Sequence, residues 1–286
     1  MILVTGVTGT TGSATLTGLA ARGARERAMV RDPARAAAAG LTTQGQMELV
    51  RGDFGDAASL RAALAGVTRA LLISPPTYEN FRLEAAFIDA ARSAGVKHVV
   101  KLSAIGASVD APHRFGRWHH AAEEHLRRSG LAWTMLRPTF FMQNLLGQAG
   151  AVKSGTIRMP AGEGRAGFVD CRDIAASASA CLTSPGHEGK AYELSGPASI
   201  GYAQIAATFS LVLGREVKYV DVPPDAARAA MVASGLPEWL ADGLNELNAE
   251  LRQNRWDRVS DAVPALAGRP GIRFEQFVRD NAAAFA

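Results

Sequence analysis

Cysteine is scarce in this sequence, which has only Cys171 and Cys181 among its 286 residues. Both fall in one alanine-rich segment that is predicted to be helical, where ten residues span about 15 Å. This separation is too long for a disulfide bond between them. We therefore expect two buried thiols that are neither nucleophiles nor metal ligands.

Long apolar runs are also missing, and no stretch is long enough to cross a bilayer. The chain begins directly with a short apolar strand rather than a leader segment, so we expect a cytoplasmic protein that is neither secreted nor bound to a membrane. Its length and its 48% of hydrophobic residues allow one large α/β domain, or a large domain with a small appendage.

Basic tracts are absent, although the formal net charge is +4. The basic residues are mostly arginines that are spread along the chain, so a nucleic-acid partner is not indicated. The small positive excess favours anionic cofactors. His113, His119, His120 and His125 lack the spacing and the carboxylate neighbours of a metal site, so no metal is predicted.

The most informative stretch is the glycine-rich start of the chain. Residues 2–4 predict a strand and residues 13–21 a helix, and Gly6-Val7-Thr8-Gly9-Thr10-Thr11-Gly12 lies between them. Gly6 allows a tight turn, Gly9 lets the backbone approach a pyrophosphate, and Gly12 lets the helix lie close to the strand. The free N–H groups at the helix start then face the anion. A tight turn without a ligand is the alternative.

Short apolar strands then alternate with helices. The predicted strands are 26–31, 47–50, 70–73, 96–103 and 131–136, and helices are predicted to begin near residues 56, 80 and 115. Five βα units in about 135 residues predict an α/β fold with a doubly wound parallel Rossmann sheet.

Beyond residue 150 this alternation becomes irregular. Strands are predicted at 157–160, 191–194 and 216–220, and helices at 172–182, 202–213, 224–234, 237–253 and 274–284. We predict a Rossmann domain over residues 1–150, to which residues 165–196 return. Residues 197–286 are predicted to form a small, mostly helical C-terminal subdomain that covers the substrate.

Candidate cofactor-binding residues follow the second and third strands. Arg31 and Arg35 match the forked contacts that guanidinium makes with the 2′-phosphate of NADP, so NADP(H) is favoured and NAD(H) is the alternative. Asp32 fits either a ribose-binding acid or a helix cap before Pro33. Asp53 and Phe54 lie where adenine would bind, and a plain turn there is the alternative.

Candidate residues also follow the fourth strand. Ser74 and Pro75 are predicted to border the cofactor, because a doubly wound sheet binds ligands at the carboxyl ends of its strands. Tyr78 in the same loop is a candidate proton donor, and a tyrosine that simply packs against its neighbours is the alternative.

Several motifs together resemble the NmrA-like branch of the atypical short-chain dehydrogenases/reductases. The motifs are Val4-Thr5-Gly6-Val7-Thr8-Gly9-Thr10-Thr11-Gly12, Val30-Arg31-Asp32-Pro33, Gly52-Asp53, Val99-Val100-Lys101-Leu102-Ser103-Ala104, His120-x-x-x-Glu124, Thr134-Met135-Leu136-Arg137-Pro138, Phe168-Val169-Asp170-x-x-Asp173-Ile174-Ala175 and Tyr192-Glu193-Leu194-Ser195-Gly196-Pro197. The resemblance covers nearly the whole chain. Within the family, the chain is similar to bacterial NADPH-dependent quinone reductases and triphenylmethane-dye reductases.

The resemblance implies a seven-stranded sheet and a bound NADP(H). The implied cofactor-binding residues are Gly6, Thr8, Gly9, Thr10, Thr11, Gly12, Arg31, Ser74, Pro75, Ser103, Pro138, Thr139 and Phe140. Within this set the resemblance places Arg31 at the 2′-phosphate, Ser74 and Pro75 at the ribose side, and Ser103 with the turn at 138–140 near the nicotinamide.

The sequence departs from the family of ordinary short-chain dehydrogenases at the Tyr-x-x-x-Lys pair. Aligned on Glu124, the tyrosine position is Gly116 and the lysine position is His120. This argues against alcohol oxidation, where lysine lowers the tyrosine pKa for proton transfer. Tyr78 and His120 are the remaining candidate catalytic residues, and His120 is a candidate for hydrogen bonding the nicotinamide ribose.

Two functions are compatible with this departure. The first is a reductase that delivers hydride from NADPH to a small apolar or aromatic acceptor of the quinone, azo or dye type, where Phe140, Phe141, Met142 and Trp239 line the pocket. The second is a non-catalytic NADP(H)-binding redox sensor that acts through a protein partner. We expect a monomer or a homodimer.

Overall fold

A computed structural model describes residues 1–38, 40–41 and 47–286. The chain divides into two compact units. The first consists of Met1–Val109, Trp118–Arg137 and Cys171–Glu193, and the second of Asp110–Arg117, Pro138–Asp170 and Leu194–Ala286. Residues 138–150, which the sequence assigns to the Rossmann domain, are therefore in the second unit.

Eleven strands are present in the described part of the chain. They are β1 (Ile2–Val4), β2 (Glu26–Val30), β3 (Met47–Arg51), β4 (Arg69–Leu72), β5 (His98–Leu102), β6 (Ala132–Pro138), β7 (Thr156–Met159), β8 (Arg165–Ala166), β9 (Lys190–Leu194), β10 (Ile200–Gly201) and β11 (Lys218–Asp221). Seven of them form one sheet in the order β3-β2-β1-β4-β5-β6-β9. The pairings among β1 to β6 are all parallel, so the predicted doubly wound parallel sheet is confirmed.

Thirteen α-helices accompany these strands in the same described residues. They are α1 (Thr10–Ala20), α2 (Pro33–Ala38), α3 (Ala57–Leu64), α4 (Asn80–Ser93), α5 (Arg114–Arg128), α6 (Ala149–Lys153), α7 (Cys171–Thr183), α8 (Tyr202–Leu213), α9 (Pro224–Ala233), α10 (Glu238–Arg252), α11 (Ala262–Ala267), α12 (Phe274–Asp280) and α13 (Ala282–Phe285). A 3₁₀-helix at Met142–Gln148 was not predicted.

The core of the first unit lies beneath the central strands. Leu3, Leu72, Val99 and Met135 are buried in one cluster with the inner faces of α3 and α4. Continuous apolar runs suit β1 and β4 because helices cover both faces of a parallel sheet.

Helix α7 belongs to the first unit because it packs closely on α1. A Cβ at Gly18 of α1 would lie 2.6 Å from Ser179 Oγ of α7. Both cysteines are free and buried on α7, as predicted, and burial raises the pKa of Cys181 to about 12. That thiol is therefore inert at neutral pH.

The second unit has its own aromatic core. Phe209 on α8 packs edge-on against Phe274 and Phe285, at centroid distances of 5.6 and 4.7 Å. The segment 274–284, predicted as one helix, is two helices that meet at Asn281. The break turns Phe285 back onto α8. Burial of its aromatic ring there stabilises the broken helix.

Glu26 at the start of β2 gives a pH-dependent prediction. Its side chain is buried, and burial raises its pKa to about 7. Because the folded state holds this proton more tightly than the unfolded chain, the free energy of unfolding falls as the pH rises from about 4.5 to about 7. We expect Glu26→Gln to raise the thermal midpoint by about 4 °C or more at pH 8, and to change it little at pH 4.5.

Thermal unfolding followed by circular dichroism at the two pH values tests this prediction. Glu163→Gln is the control, because Glu163 is exposed and has no ion pair with a described residue. An equal effect of Glu26→Gln at both pH values would contradict the account.

Candidate functional site

The glycine-rich turn lies where β1 and β4 end side by side. The Thr5 hydroxyl accepts the Ile73 backbone N–H at 2.7 Å and lies 2.9 Å from the Ile73 carbonyl oxygen. Gly6 follows with φ of +66°, where a Cβ would lie 2.8 Å from the Ile73 side chain. Only glycine fits this conformation and this space, as predicted for a tight turn.

Gly9 and Gly12 serve different purposes in this turn. A Cβ at Gly12 would lie 2.3 Å from the Gly6 carbonyl oxygen, so α1 can approach the turn only with glycine there. A Cβ at Gly9 would meet only that same oxygen, at 3.3 Å, and its φ of −95° suits any residue. The fold therefore requires glycine far less strictly at position 9 than at position 12.

The start of α1 is well suited to an anion. Its N-cap residue, Gly9, has no side chain to bond the first N–H groups, and its first turn has no acidic residue. Thr8, Gly9 and Thr10 are exposed, whereas Thr11 is buried. Free N–H groups and the positive end of the helix dipole thus face outward.

A cleft of about 810 Å³ opens beside this turn, within the first unit. The turn and the ends of β2, β3 and β4 form its walls. The predicted residues that line it are Gly6, Thr8, Gly9, Arg31, Arg35, Phe54, Ser74 and Pro75. The volume suits a large ligand such as a dinucleotide.

Two arginines give this cleft its charge. Arg31 and Arg35 are exposed, and neither guanidinium has a hydrogen bond or ion pair with any residue the structure describes. Asp32 Oδ1 accepts the Arg35 backbone N–H at 3.0 Å, so this aspartate caps α2. The arginines are therefore available to an anionic group.

Asp53 is occupied by its own turn. Its Oδ1 accepts the Gly55 N–H at 2.8 Å, and its backbone N–H donates to Ser59 Oγ at 2.9 Å. These bonds fit the alternative of a plain turn, while Phe54 next to it lines the cleft.

A buried ion pair, which the sequence motifs do not predict, lies behind the cleft wall. Lys101 on β5 and Glu84 on α4 are both fully buried, with Nζ 2.9 Å from Oε2. Ser74 Oγ donates to Glu84 Oε1 at 2.8 Å and accepts from Asn80 Nδ2 at 2.6 Å. The ion pair therefore fixes a side chain of the cleft.

The same lysine determines which ring nitrogen of His119 accepts a hydrogen bond. Lys101 Nζ lies 3.1 Å from His119 Nδ1. An ammonium can only donate, so Nδ1 accepts and the neutral ring has its proton on Nε2. The signal in the sequence is a lysine inside the apolar run of β5, where a charge must have a buried partner.

A second buried carboxylate holds Ser103. The Ser103 hydroxyl donates to Glu123 Oε1 at 2.6 Å, and Arg137 Nε donates to the same oxygen at 2.9 Å. Arg127 binds Glu123 Oε2 at 2.9 Å. Burial opposes ionisation of Glu123, but hydrogen bonds from Arg137 and Ser103 outweigh it and hold the pKa of this carboxyl below its usual value. The Ser103 hydroxyl is thus committed to the protein interior.

The four histidines of this region do not converge. His113 is buried, accepts the Gly116 N–H, and has its pKa lowered to about 4 by burial. His125 Nε2 lies 2.8 Å from Asp89. His120 is half-buried on α5 and hydrogen bonds to none of the described residues. The described residues contain no group of three or more potential metal ligands.

Tyr78 is an exposed aromatic residue on the loop that continues from the cleft. Its side chain is 69% exposed and meets Trp118 edge-on at 5.7 Å between centroids.

Among the described helices, none is both long and apolar enough to span a membrane.

The remaining predicted residues, Pro138, Thr139 and Phe140, are in the second unit. Thr139 is buried, its N–H donates to the Leu194 carbonyl at 2.9 Å, and its hydroxyl donates to the Gly167 carbonyl. Phe140 packs on Phe168 at 5.5 Å. These hydrogen bonds and this ring contact attach the 138–140 turn to other residues of the second unit.

Comparison with known proteins supports a single family over the chain. The NmrA-like family matches residues 1–262. An NAD(P)H azoreductase of Xenophilus azovorans is 42% identical over 286 residues, which are 100% of this chain and 99% of the relative.

Two solved structures are similar in fold. The NADPH-dependent quinone oxidoreductase QOR2 of Escherichia coli, complexed with NADPH, has a TM-score of 0.89 and 31% identity, over 98% of this chain and 99% of that one. The triphenylmethane reductase of Citrobacter sp., complexed with NADP(H), has a TM-score of 0.88 and 27% identity, over the same shares.

Proposed function

Because this chain belongs to the NmrA-like family, we propose that it is an NADPH-dependent oxidoreductase that reduces a small apolar or aromatic acceptor. The acceptor classes are quinones, azo compounds and dye cations. Support comes from three similar proteins, which are an azoreductase, a quinone oxidoreductase and a triphenylmethane reductase.

One observation supports the cofactor most directly. The exposed start of α1 and the unpaired guanidinium groups of Arg31 and Arg35 belong to one cleft. The helix start suits the pyrophosphate, and the arginines suit the 2′-phosphate that distinguishes NADP from NAD. When bound, the cofactor supplies the hydride.

The residues of the chain would then bind and orient the reactants. The Tyr-x-x-x-Lys pair is absent in the sequence, and the Ser103 hydroxyl is held by Glu123. An acceptor that takes hydride with little help from an acid fits such a site, because orientation alone supplies much of the rate. Tyr78 stays the candidate proton donor, and His120 stays the candidate that hydrogen bonds to the nicotinamide ribose. The C-terminal region stays the proposed cover of the substrate.

A redox sensor is the second candidate, and the absent Tyr-x-x-x-Lys pair favours it. The two functions separate in a single assay of NADPH oxidation with quinones, azo dyes, triphenylmethane dyes and simple carbonyls, with NADH in parallel. Turnover with one of the first three classes supports the reductase. NADPH binding without turnover on any acceptor supports the sensor.

Arg31 gives a direct test of the cofactor assignment. We expect Arg31→Ala to raise the Kd for NADPH about 10-fold or more and to leave the Kd for NADH nearly unchanged, because charge-assisted bonds to the 2′-phosphate are lost. Fluorescence titration of both cofactors measures this. Arg128→Ala is the control, since the Arg128 side chain is 81% exposed on α5. Equal losses for NADPH and NADH would contradict the assignment.

A further inference from the structure

A second cavity, of about 390 Å³, lies within the C-terminal unit. The end of β7, the residue after β11, and the helices α9 and α10 line it, and it opens to solvent. Met159, Pro160, Val222 and Met231 provide much of its apolar wall. Its volume is in the range of small-molecule sites.

One largely buried residue turns a polar side chain to this cavity. Asn248 on α10 is 7% exposed and lines the cavity. Its amide forms no hydrogen bond with any of the described residues. Because no described protein group uses this amide, it is available to a ligand that donates to it or accepts from it.

The rim of the cavity has an unpaired positive charge. Arg158 on β7 is exposed and lines the cavity, and its guanidinium has no hydrogen bond or ion pair within the part of the chain that is described. Asp221 on β11 is already bound to Arg252, through Oδ1 at 2.7 Å and Oδ2 at 2.8 Å. Arg158 is therefore available to an anionic group.

Helix α9 forms a thin cover over the cavity. None of its residues is buried, and it turns the small side chains of Ala226, Ala227 and Ala230 to the cavity. It is attached to α10 through Arg228, whose Nε lies 2.5 Å from Asp242 Oδ1. Small side chains leave the volume open to a ligand.

We propose that this cavity binds a flat, apolar small molecule that has an acidic group such as a carboxylate or a sulfonate. The apolar body lies against Met159 and Met231, a polar atom hydrogen bonds to Asn248, and the acidic group pairs with Arg158. The proposal concerns binding by the C-terminal unit and goes beyond the proposed reaction. It needs no bound cofactor.

Isothermal titration calorimetry on the full chain, without cofactor, tests the proposal with 2-naphthalenesulfonate and its neutral counterpart 2-naphthol. We expect Arg158→Gln to weaken binding of the sulfonate about tenfold and to leave binding of 2-naphthol unchanged. Asn248→Leu should weaken both ligands and change the thermal midpoint little, because its amide has no hydrogen bond to lose among the described residues. Ala230→Leu should weaken both by filling the cavity.

Arg31→Ala is the matched control, because it removes an arginine from the cofactor cleft instead. Loss of sulfonate binding in Arg31→Ala but not in Arg158→Gln would place the probe in the cofactor cleft and overturn the proposal. The absence of sulfonate binding by the unmodified protein would overturn it as well.

Discussion

Gly9→Ala is expected to raise the Kd for NADPH by about 100-fold or more and to leave the thermal midpoint within about 2 °C of the unmodified protein. The added Cβ would meet only the Gly6 carbonyl oxygen, at 3.3 Å, and the backbone at this position is not strained. We expect the fold to accommodate alanine at position 9 by a shift of a few tenths of an ångström in that oxygen. A pyrophosphate that approaches this backbone cannot accommodate alanine, because the methyl group occupies its place.

Gly12→Ala is the matched comparison. There the Cβ would lie 2.3 Å from the same oxygen, so α1 must move away from the turn. We expect this variant to lose both stability and NADPH binding. If Gly9→Ala binds NADPH as tightly as the unmodified protein, the turn is a tight βα connection without a ligand, and the cofactor assignment fails.

The second large effect is expected at the buried ion pair. Glu84→Gln should lower the free energy of unfolding by about 3–5 kcal/mol, because it leaves the Lys101 ammonium buried without its counter-charge. Both side chains are fully buried, and Nζ lies 3.1 Å from Glu84 Oε1. Urea unfolding at pH 7 measures the loss.

Two further variants separate charge burial from general damage. The double variant Glu84→Leu with Lys101→Met should recover most of the lost stability, since an apolar pair replaces the ion pair. Glu275→Gln breaks an exposed pair with Arg279 on α12 and should lower stability by about 1 kcal/mol or less. A single Glu84→Gln variant as stable as the unmodified protein would contradict the account.

The strands of the central sheet could be predicted because their sequences decide them locally. Two of these strands, Ile2–Val4 and Arg69–Leu72, are short, mostly apolar runs followed by turn residues. Such runs are typical of strands in a sheet that helices cover on both faces. The glycine turn was equally local, because Gly6 and Gly12 are required by backbone conformation and contact within one βα unit.

The buried charges could not be predicted, because their partners come from distant elements. Lys101 meets Glu84 only when α4 packs beneath β5, and Ser103 meets Glu123 only when α5 does so. Helix periodicity also did not predict the break at Asn281, which follows from the position of Phe285 in the aromatic core.

The C-terminal cavity was likewise invisible in the sequence. Met159, Val222, Met231 and Asn248 belong to four separate segments, and nothing in the spacing of these residues indicates that they meet. Arg158 is one of many scattered arginines, and only the structure places it at this cavity.

The central claim is that this protein transfers hydride from NADPH to an acceptor. The most direct test compares single-turnover oxidation of NADPH with that of NADPH deuterated at both C4 positions, using whichever quinone, azo dye or triphenylmethane dye is reduced fastest. We expect NADPH to be consumed and the deuterated cofactor to react more slowly, because the bond between C4 and the transferred hydrogen breaks. Tight binding of NADPH with no oxidation by any of these acceptors would contradict it and would favour the redox sensor.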